Sequence, residues 1–147
     1  MKIGEFLKRT RQHLVTCMPQ HSVEEVAKLL HAYGIGAVPV CQLDMRMVGI
    51  VSERDLVRAF ATMPWNELEL LKARDIMTAR VFTCGPDDTM QSAEHLMRLH
   101  RIRHLPVVEA GRVVDMLSIR DTLDLRLKET KYEIDVLRDA VVAARHS

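Results

Sequence analysis

Residues 15–55 read VTCMPQHSVEEVAKLLHAYGIGAVPVCQLDMRMVGIVSERD, and residues 82–121 read FTCGPDDTMQSAEHLMRLHRIRHLPVVEAGRVVDMLSIRD. The two stretches align at an offset of 67 residues. The offset drops to 66 between Val40 and Val48, where the loop around Gln42–Arg46 is one residue longer than its counterpart around Glu109–Arg112. In this frame Thr16 matches Thr83, Cys17 matches Cys84, Pro19 matches Pro86, Leu29 matches Leu96 and Ile35 matches Ile102. Pro39 then matches Pro106, Val40 matches Val107, Ser52 matches Ser118, Arg54 matches Arg120 and Asp55 matches Asp121. A unit of roughly 60 residues is marginal alone, so a tandem buries its core by packing one unit on the other. The halves are expected to form one pseudo-symmetric domain.

Each unit opens with a short extended segment, Leu14–Cys17 or Val81–Cys84, followed by a proline turn. A helix follows. Ser22 and Glu25 have capping-box spacing, and Val23, Val26, Ala27, Leu30 and Tyr33 supply the apolar stripe. Its partner begins at Thr89, with Met90, Ala93, Leu96, Met97 and His100 on the equivalent face; Gly34 and Arg101 mark the two helix exits. Two apolar runs joined by a turn come next, Ala37–Cys41 with Met47–Val51 and Leu105–Glu109 with Arg112–Leu117, the pattern of an antiparallel hairpin. A second helix starts after Ser52 and after Ser118. The fold class is therefore mixed α/β (α+β), with two β-α-β-β-α units.

Met63-Pro64-Trp65-Asn66 breaks the chain between the units; Glu67–Lys72 reads as a short helix, and Ala73–Thr78 leads into the second unit. The organisation is 1–66 for the first unit with its N-terminal segment, 67–128 for connector and second unit, and 129–147 for a helical tail. In that tail Leu123, Leu127, Thr130, Ile134, Leu137, Val141 and Ala144 are spaced alternately four and three, an a/d seam. The helix either lies along its own domain or pairs with a second subunit, and pairing is favoured because it runs about 20 residues past the unit it closes. A homodimer is the expectation.

The chain has 147 residues, 48% of them apolar, enough for a core. Lysine and arginine total 21 against 20 acids, a formal charge of +1 with no long basic run, which argues against nucleic acid as partner. Apolar runs such as Ile35–Cys41 are too short to span a membrane, and the Met-Lys start lacks the apolar core of a signal peptide, so a cytoplasmic protein is expected. Cys17, Cys41 and Cys84 form no CxxC pair and leave one unpaired under any single disulfide, which suits a reducing compartment, and the repeat-matched Cys17 and Cys84 read as buried small apolar residues. His95 and His100 are five apart, off a shared helical face, and no spacing suggests a metal site.

The tandem units, the strands Gly36-Ala37-Val38-Pro39-Val40 and His104-Leu105-Pro106-Val107-Val108, and the terminal Ser52-Glu53-Arg54-Asp55 and Ser118-Ile119-Arg120-Asp121 together resemble a CBS-domain pair. Arg74-Asp75-Ile76-Met77-Thr78 is similar to the segment that opens many second CBS motifs. The resemblance covers roughly Leu14 to Leu127. It implies a regulatory module, often called a Bateman module, that binds adenosine-containing ligands such as AMP, ADP, ATP, NAD(H) or S-adenosylmethionine and signals to a partner protein. It also implies that Asp55 and Asp121 accept hydrogen bonds from the ribose hydroxyls, with Ser52 and Ser118 near ribose or phosphate. By the same resemblance Gly36 with Ala37, and Arg103 with His104, lie beside the ligand. Adenine then rests near Thr16, Cys17, Thr83 and Cys84.

This chemistry is sound in its own terms. A carboxylate offers two acceptor oxygens to a vicinal diol, a helix N-terminus offers free N–H groups to phosphate, and Arg54 and Arg120 sit in the same turns. Ser-x-x-Asp is equally the pattern of a helix cap, with serine at the N-cap and the acid three residues on. One departure separates the repeats: Gly49 lies inside the third strand of the first, and Asp115 takes its place in the second. Three readings follow. A nucleotide sensor leads, a ligand-free dimeric scaffold is the alternative, and an enzyme ranks last for want of a phosphate loop, a nucleophile motif or a glycine fingerprint.

Overall fold

The computed structural model describes residues 1–10 and 13–146. Its elements run α1 (Ile3–Thr10), α2 (Val23–Tyr33), β1 (Ala37–Cys41), β2 (Met47–Ser52), α3 (Glu53–Thr62), α4 (Trp65–Leu68) and α5 (Ala73–Ile76). They continue as α6 (Met90–His100), β3 (His104–Glu109), β4 (Arg112–Ser118) and α7 (Ile119–Arg145). The hairpins β1–β2 and β3–β4 are antiparallel and related by the repeat: Ala37 faces Ser52 as His104 faces Ser118, and Pro39 faces Ile50 as Pro106 faces Met116. The connector helix lies at Trp65–Leu68, earlier than its expected place at Glu67–Lys72, because Pro64 starts it with a preset φ of −64°.

The opening segments are not strands. Each forms one parallel bridge, Cys17 to Val40 and Cys84 to Val107. Cys17 donates its N–H to the Pro39 carbonyl (3.0 Å) and accepts from Cys41 N–H (2.8 Å); Cys84 does the same with Pro106 (3.1 Å) and Val108 (2.8 Å). Extending the parallel ladder needs N–H donors two residues away on each side. Upstream the donor would be Pro39 or Pro106, downstream Pro19 or Pro86, and proline has none. The four repeat-matched prolines therefore confine each opening segment to a single paired residue.

The halves are closed by segments that cross between them. Ile3 and Gly4 donate backbone N–H bonds to Asp88 and Pro86 (both 2.9 Å), and Met90 donates to Met1 (3.0 Å), so α1 seats on the second unit. Ala73 and Arg74 donate to His21 (2.7 Å) and Pro19 (3.1 Å), and Val23 donates to Leu71 (3.1 Å), so α5 seats on the first unit in the same way. The cores follow this exchange. One gathers Cys17, Val26, Leu30, Val38, Val40, Val51 and Ala73; the other gathers Ile3, Phe6, Cys84, Met97, Leu105, Val107 and Leu117. The N-terminal segment thus packs into the second unit's core, although it precedes the first unit in sequence.

Helix ends carry the sequence signals that set them. Ser22 and Thr89 accept N–H bonds from Glu25 and Ser92 (both 3.0 Å), and Gly34 and Arg101 end α2 and α6 in the left-handed conformation, at φ 61° and 54°. The β3–β4 turn is Ala110-Gly111, both with positive φ, the geometry of a two-residue hairpin. The longer first loop reaches across the molecule, where Met45 accepts the Val113 N–H at 3.0 Å. On α6, buried Glu94 holds Arg126 of α7 at 2.8 Å and Arg98 at 3.5 Å, which pins the start of the last helix.

Two substitutions test this account. A Cβ on Gly49 would lie 2.5 Å from Met77 Sδ and 2.9 Å from the Thr78 carbonyl oxygen. Gly49→Ala is expected to destabilise the protein by about 1–3 kcal/mol, read as a lower urea midpoint. Arg101→Gly removes the left-handed penalty on a side-chain-bearing residue and is expected to stabilise by about 0.5–1 kcal/mol, read in the same titration.

Candidate functional site

Both second helices of the repeat begin in a capping box. Asp55 Oδ2 accepts from Ser52 N–H (2.8 Å) and Ser52 Oγ (3.0 Å), while Asp55 N–H donates back to Ser52 Oγ at 3.4 Å. Asp121 Oδ2 accepts from Ser118 N–H (2.9 Å), and Asp121 N–H donates to Ser118 Oγ (3.2 Å). The capping role is therefore real at both positions. At Asp55 it leaves Oδ1, among the described residues, with Arg58 Nη1 alone at a long 3.4 Å, although the residue is just 6% exposed.

Asp55 lines a cavity of about 330 Å³ at the junction of the repeats. Gly36 and Ala37 enter from the start of β1, and Ile50 and Ser52 from β2. Glu53 and Arg54 come from the first turn of α3, Thr78 and Arg80–Phe82 from the connector, and Ile102–His104 from the approach to β3. The connector is held there by a reciprocal backbone pair, Ile50 N–H to Thr78 (3.0 Å) and Thr78 N–H to Ile50 (2.9 Å). Glycine at 36 admits the crowding, since a Cβ there would stand 3.0 Å from both Glu53 Oε1 and His104 Cε1. Arg54, Arg80 and Arg103 have no ion-pair partner among the described residues. The wall therefore carries three arginines against two acids, the exposed Glu53 and the buried Asp55. Burial holds the His104 imidazole below its ordinary pKa; the Glu53 and Asp121 carboxylates oppose that shift and the Arg103 charge reinforces it.

The structure thus brings together Gly36, Ala37, Ser52, Arg54, Asp55, Arg103 and His104. Thr16, Cys17, Thr83 and Cys84 do not line this cavity; Cys17 and Cys84 are buried in the two cores. Burial pushes the thiols of Cys17 and Cys84 up to about 12 and that of Cys41 to about 11, so all three stay protonated at neutral pH. Ser118, Arg120 and Asp121 occupy the equivalent turn of the second unit, outside this cavity. Arg80, Val81 and Phe82 are contributions that the sequence reading missed. The signal was present in the proline pairs, which free the segment before Cys84 from the sheet. Phe82 also stacks on His100, ring centroids 3.9 Å apart at 18°.

The second unit's turn also lies beside Arg103 and His104, since Ile119 donates its N–H to the Arg103 carbonyl (2.8 Å) and His104 faces Ser118 across the hairpin. Asp115 replaces Gly49, and burial raises its carboxyl pKa, with Asp121 adding to the rise and the Met116 N–H bond (2.7 Å) opposing it. Among the described residues no group of three or more His, Cys, Asp or Glu is placed to hold a metal.

The family model for the CBS domain matches residues 3–62 and 73–128. The chain is 36% identical over 109 residues to the inosine-5′-monophosphate dehydrogenase of Korarchaeum cryptofilum, covering 74% of this chain and 21% of that protein. It spans 21% to 62% of the length of the first curated relatives that it matches. Among solved structures, a CBS-domain containing protein from Agrobacterium tumefaciens superimposes with a TM-score of 0.79 at 36% identity, over 86% of this chain and 99% of that one. The CBS domain pair of protein MJ0100, in complex with 5′-methylthioadenosine and S-adenosyl-L-methionine, gives 0.75 at 25% identity over 85% and 98%. CBSX2 in complex with AMP gives 0.73 at 26% identity over 88% and 98%. With two matched units, crossed closing segments and a cleft at their junction, the chain belongs to the CBS-domain family as a tandem pair.

Proposed function

We propose that the chain is a non-catalytic, cytoplasmic sensor module that binds a phosphate-bearing adenosine nucleotide in the cleft at Asp55 and reports its occupancy to a partner protein. The observation that carries this reading is the convergence on a single cavity of three arginines, without an ion pair among the described residues, with the buried Asp55 and the exposed Glu53. Asp55 Oδ1 accepts from the ribose diol, and its capping bonds through Oδ2 keep the carboxylate in place. The phosphate goes to Arg54, Arg80 and Arg103, at the positive end of the ten-residue helix α3. Adenine lies along Val81 and Phe82, whose backbone the prolines keep out of the sheet. MJ0100 and CBSX2, related modules of the same fold, were solved with adenosine-type ligands.

The charge and size of the cleft favour one ligand over others in that class. A cationic sulfonium is repelled by three arginines, whereas a phosphate is attracted. About 330 Å³ sits at the low end for a ligand site, which suits a mononucleotide better than NAD(H). AMP is the preferred ligand, with ADP and ATP next and S-adenosylmethionine last. The buried, protonated thiols suit a reducing compartment, and two copies act together as a homodimer.

Melting of the ligand-stripped protein tests the proposal. AMP at a hundredfold its dissociation constant is expected to add about 2.7 kcal/mol, a rise of roughly 5–10 °C. S-Adenosylmethionine at the same concentration is expected to add little. Asp55→Asn should weaken AMP about ten- to a hundredfold while the ligand-free protein still melts cooperatively. No shift with any adenosine ligand would leave both Ser-x-x-Asp motifs as caps and favour the scaffold reading, which the capping geometry also fits.

A further inference from the structure

The last helix leaves the body of the molecule. Helix α7 has 27 residues, and after Leu125, which still packs on the second core, every described residue to His146 is exposed. That is a projection of about 30 Å of single helix. An isolated helix of this length is marginal in water, and most helical stability in proteins comes from an apolar face that is packed. The face exists: Leu127 is 68% and Leu137 66% exposed, with Ile134 and Val141 on the same stripe.

The seam states what covers it. Its a positions are Leu127, Ile134 and Val141; its d positions are Leu123, Thr130, Leu137 and Ala144. Ile134 and Val141 at a with Leu137 at d follow the pattern, β-branched at a and leucine at d, that favours two parallel strands. The flanking charges agree. The e positions beyond the body, Lys131, Arg138 and Arg145, are all basic, so an antiparallel pair would set like charge against like charge. In a parallel pair Glu133 at g faces Arg138 at e of the other copy, one heptad on. The basic residue at the preceding g, Arg126, would face Lys131, but its charge is already taken by Glu94 of its own chain at 2.8 Å.

We infer that the projecting half of α7 forms a parallel, in-register two-stranded coiled coil with a second copy of this chain. The inference deepens the homodimer reading by naming its interface, and it is independent of whether the cleft binds a nucleotide. Its consequence is geometric: the two modules are held side by side at the same end of a shared stalk.

Cross-linking of the full chain tests it. Ala144→Cys lies near the tip of the stalk, where only parallel, in-register strands bring the two copies of that residue together. The native thiols are buried and do not compete. Mild oxidation of Ala144→Cys is expected to yield a covalent dimer, and adding Ile134→Asp with Leu137→Asp is expected to abolish it. Those aspartates lie on the exposed stalk, so the body should keep its melting temperature. Light scattering should meanwhile give a two-chain mass for the wild type. A monomeric or trimeric wild-type mass would overturn the inference. So would a dimer that gives no cross-link, or a cross-link that survives both aspartates; either of these leaves the homodimer standing with a different interface.

Discussion

Each half of this molecule is closed by a segment that precedes the other half. The backbone bonds from Ile3 and Gly4 to Asp88 and Pro86, and those from Ala73 and Arg74 to His21 and Pro19, are the same contact made twice in opposite senses. Neither unit has a complete core without its borrowed segment: Ala73 lies in one and Ile3 and Phe6 in the other, all buried. Two units too small to fold well alone thereby become one cooperative body. The cleft is a by-product of this crossing. Leaving α5, the chain must run along the edge of β2, where Thr78 pairs with Ile50. That path sets Arg80, Val81 and Phe82 across the first turn of α3. Gly49 permits the close passage of Met77 and Thr78 on which the geometry depends.

Much of this was legible in the sequence. The matched prolines, the Ser-x-x-Asp pairs and the helix-exit residues Gly34 and Arg101 placed both hairpins and both capped helices within a residue or two of where they lie. What was not legible were effects between distant segments. The opening strands failed because a parallel ladder depends on donors in another strand, and Pro39 and Pro106 are missing donors that look harmless within their own hairpins. Helix α1 was missed because its apolar residues, Ile3 and Phe6, are few; its role shows only when Lys2-Ile3 is set against Lys72-Ala73. Arg80 carries no repeat signature at all. It joins the cleft because the connector is pinned at Thr78.

The pseudo-symmetry of the backbone does not extend to the charges. Gly36 and Ala37 at the start of β1 are matched by Arg103 and His104 at the start of β3, and Arg103 lies against the first turn of α7 as Gly36 lies against that of α3. Where Gly49 leaves space, Asp115 adds a second carboxyl, whose pKa burial raises and the Asp121 charge raises further. The two turns therefore differ by the carboxyl of Asp115, which a phosphate-bearing ligand distinguishes.

The central claim is the proposal that the cleft at Asp55 binds a nucleotide, and isothermal titration of AMP into ligand-stripped protein tests it directly. Binding by the wild type that Asp55→Asn weakens is the predicted result. No binding, or binding that Asp55→Asn leaves unchanged, would contradict it.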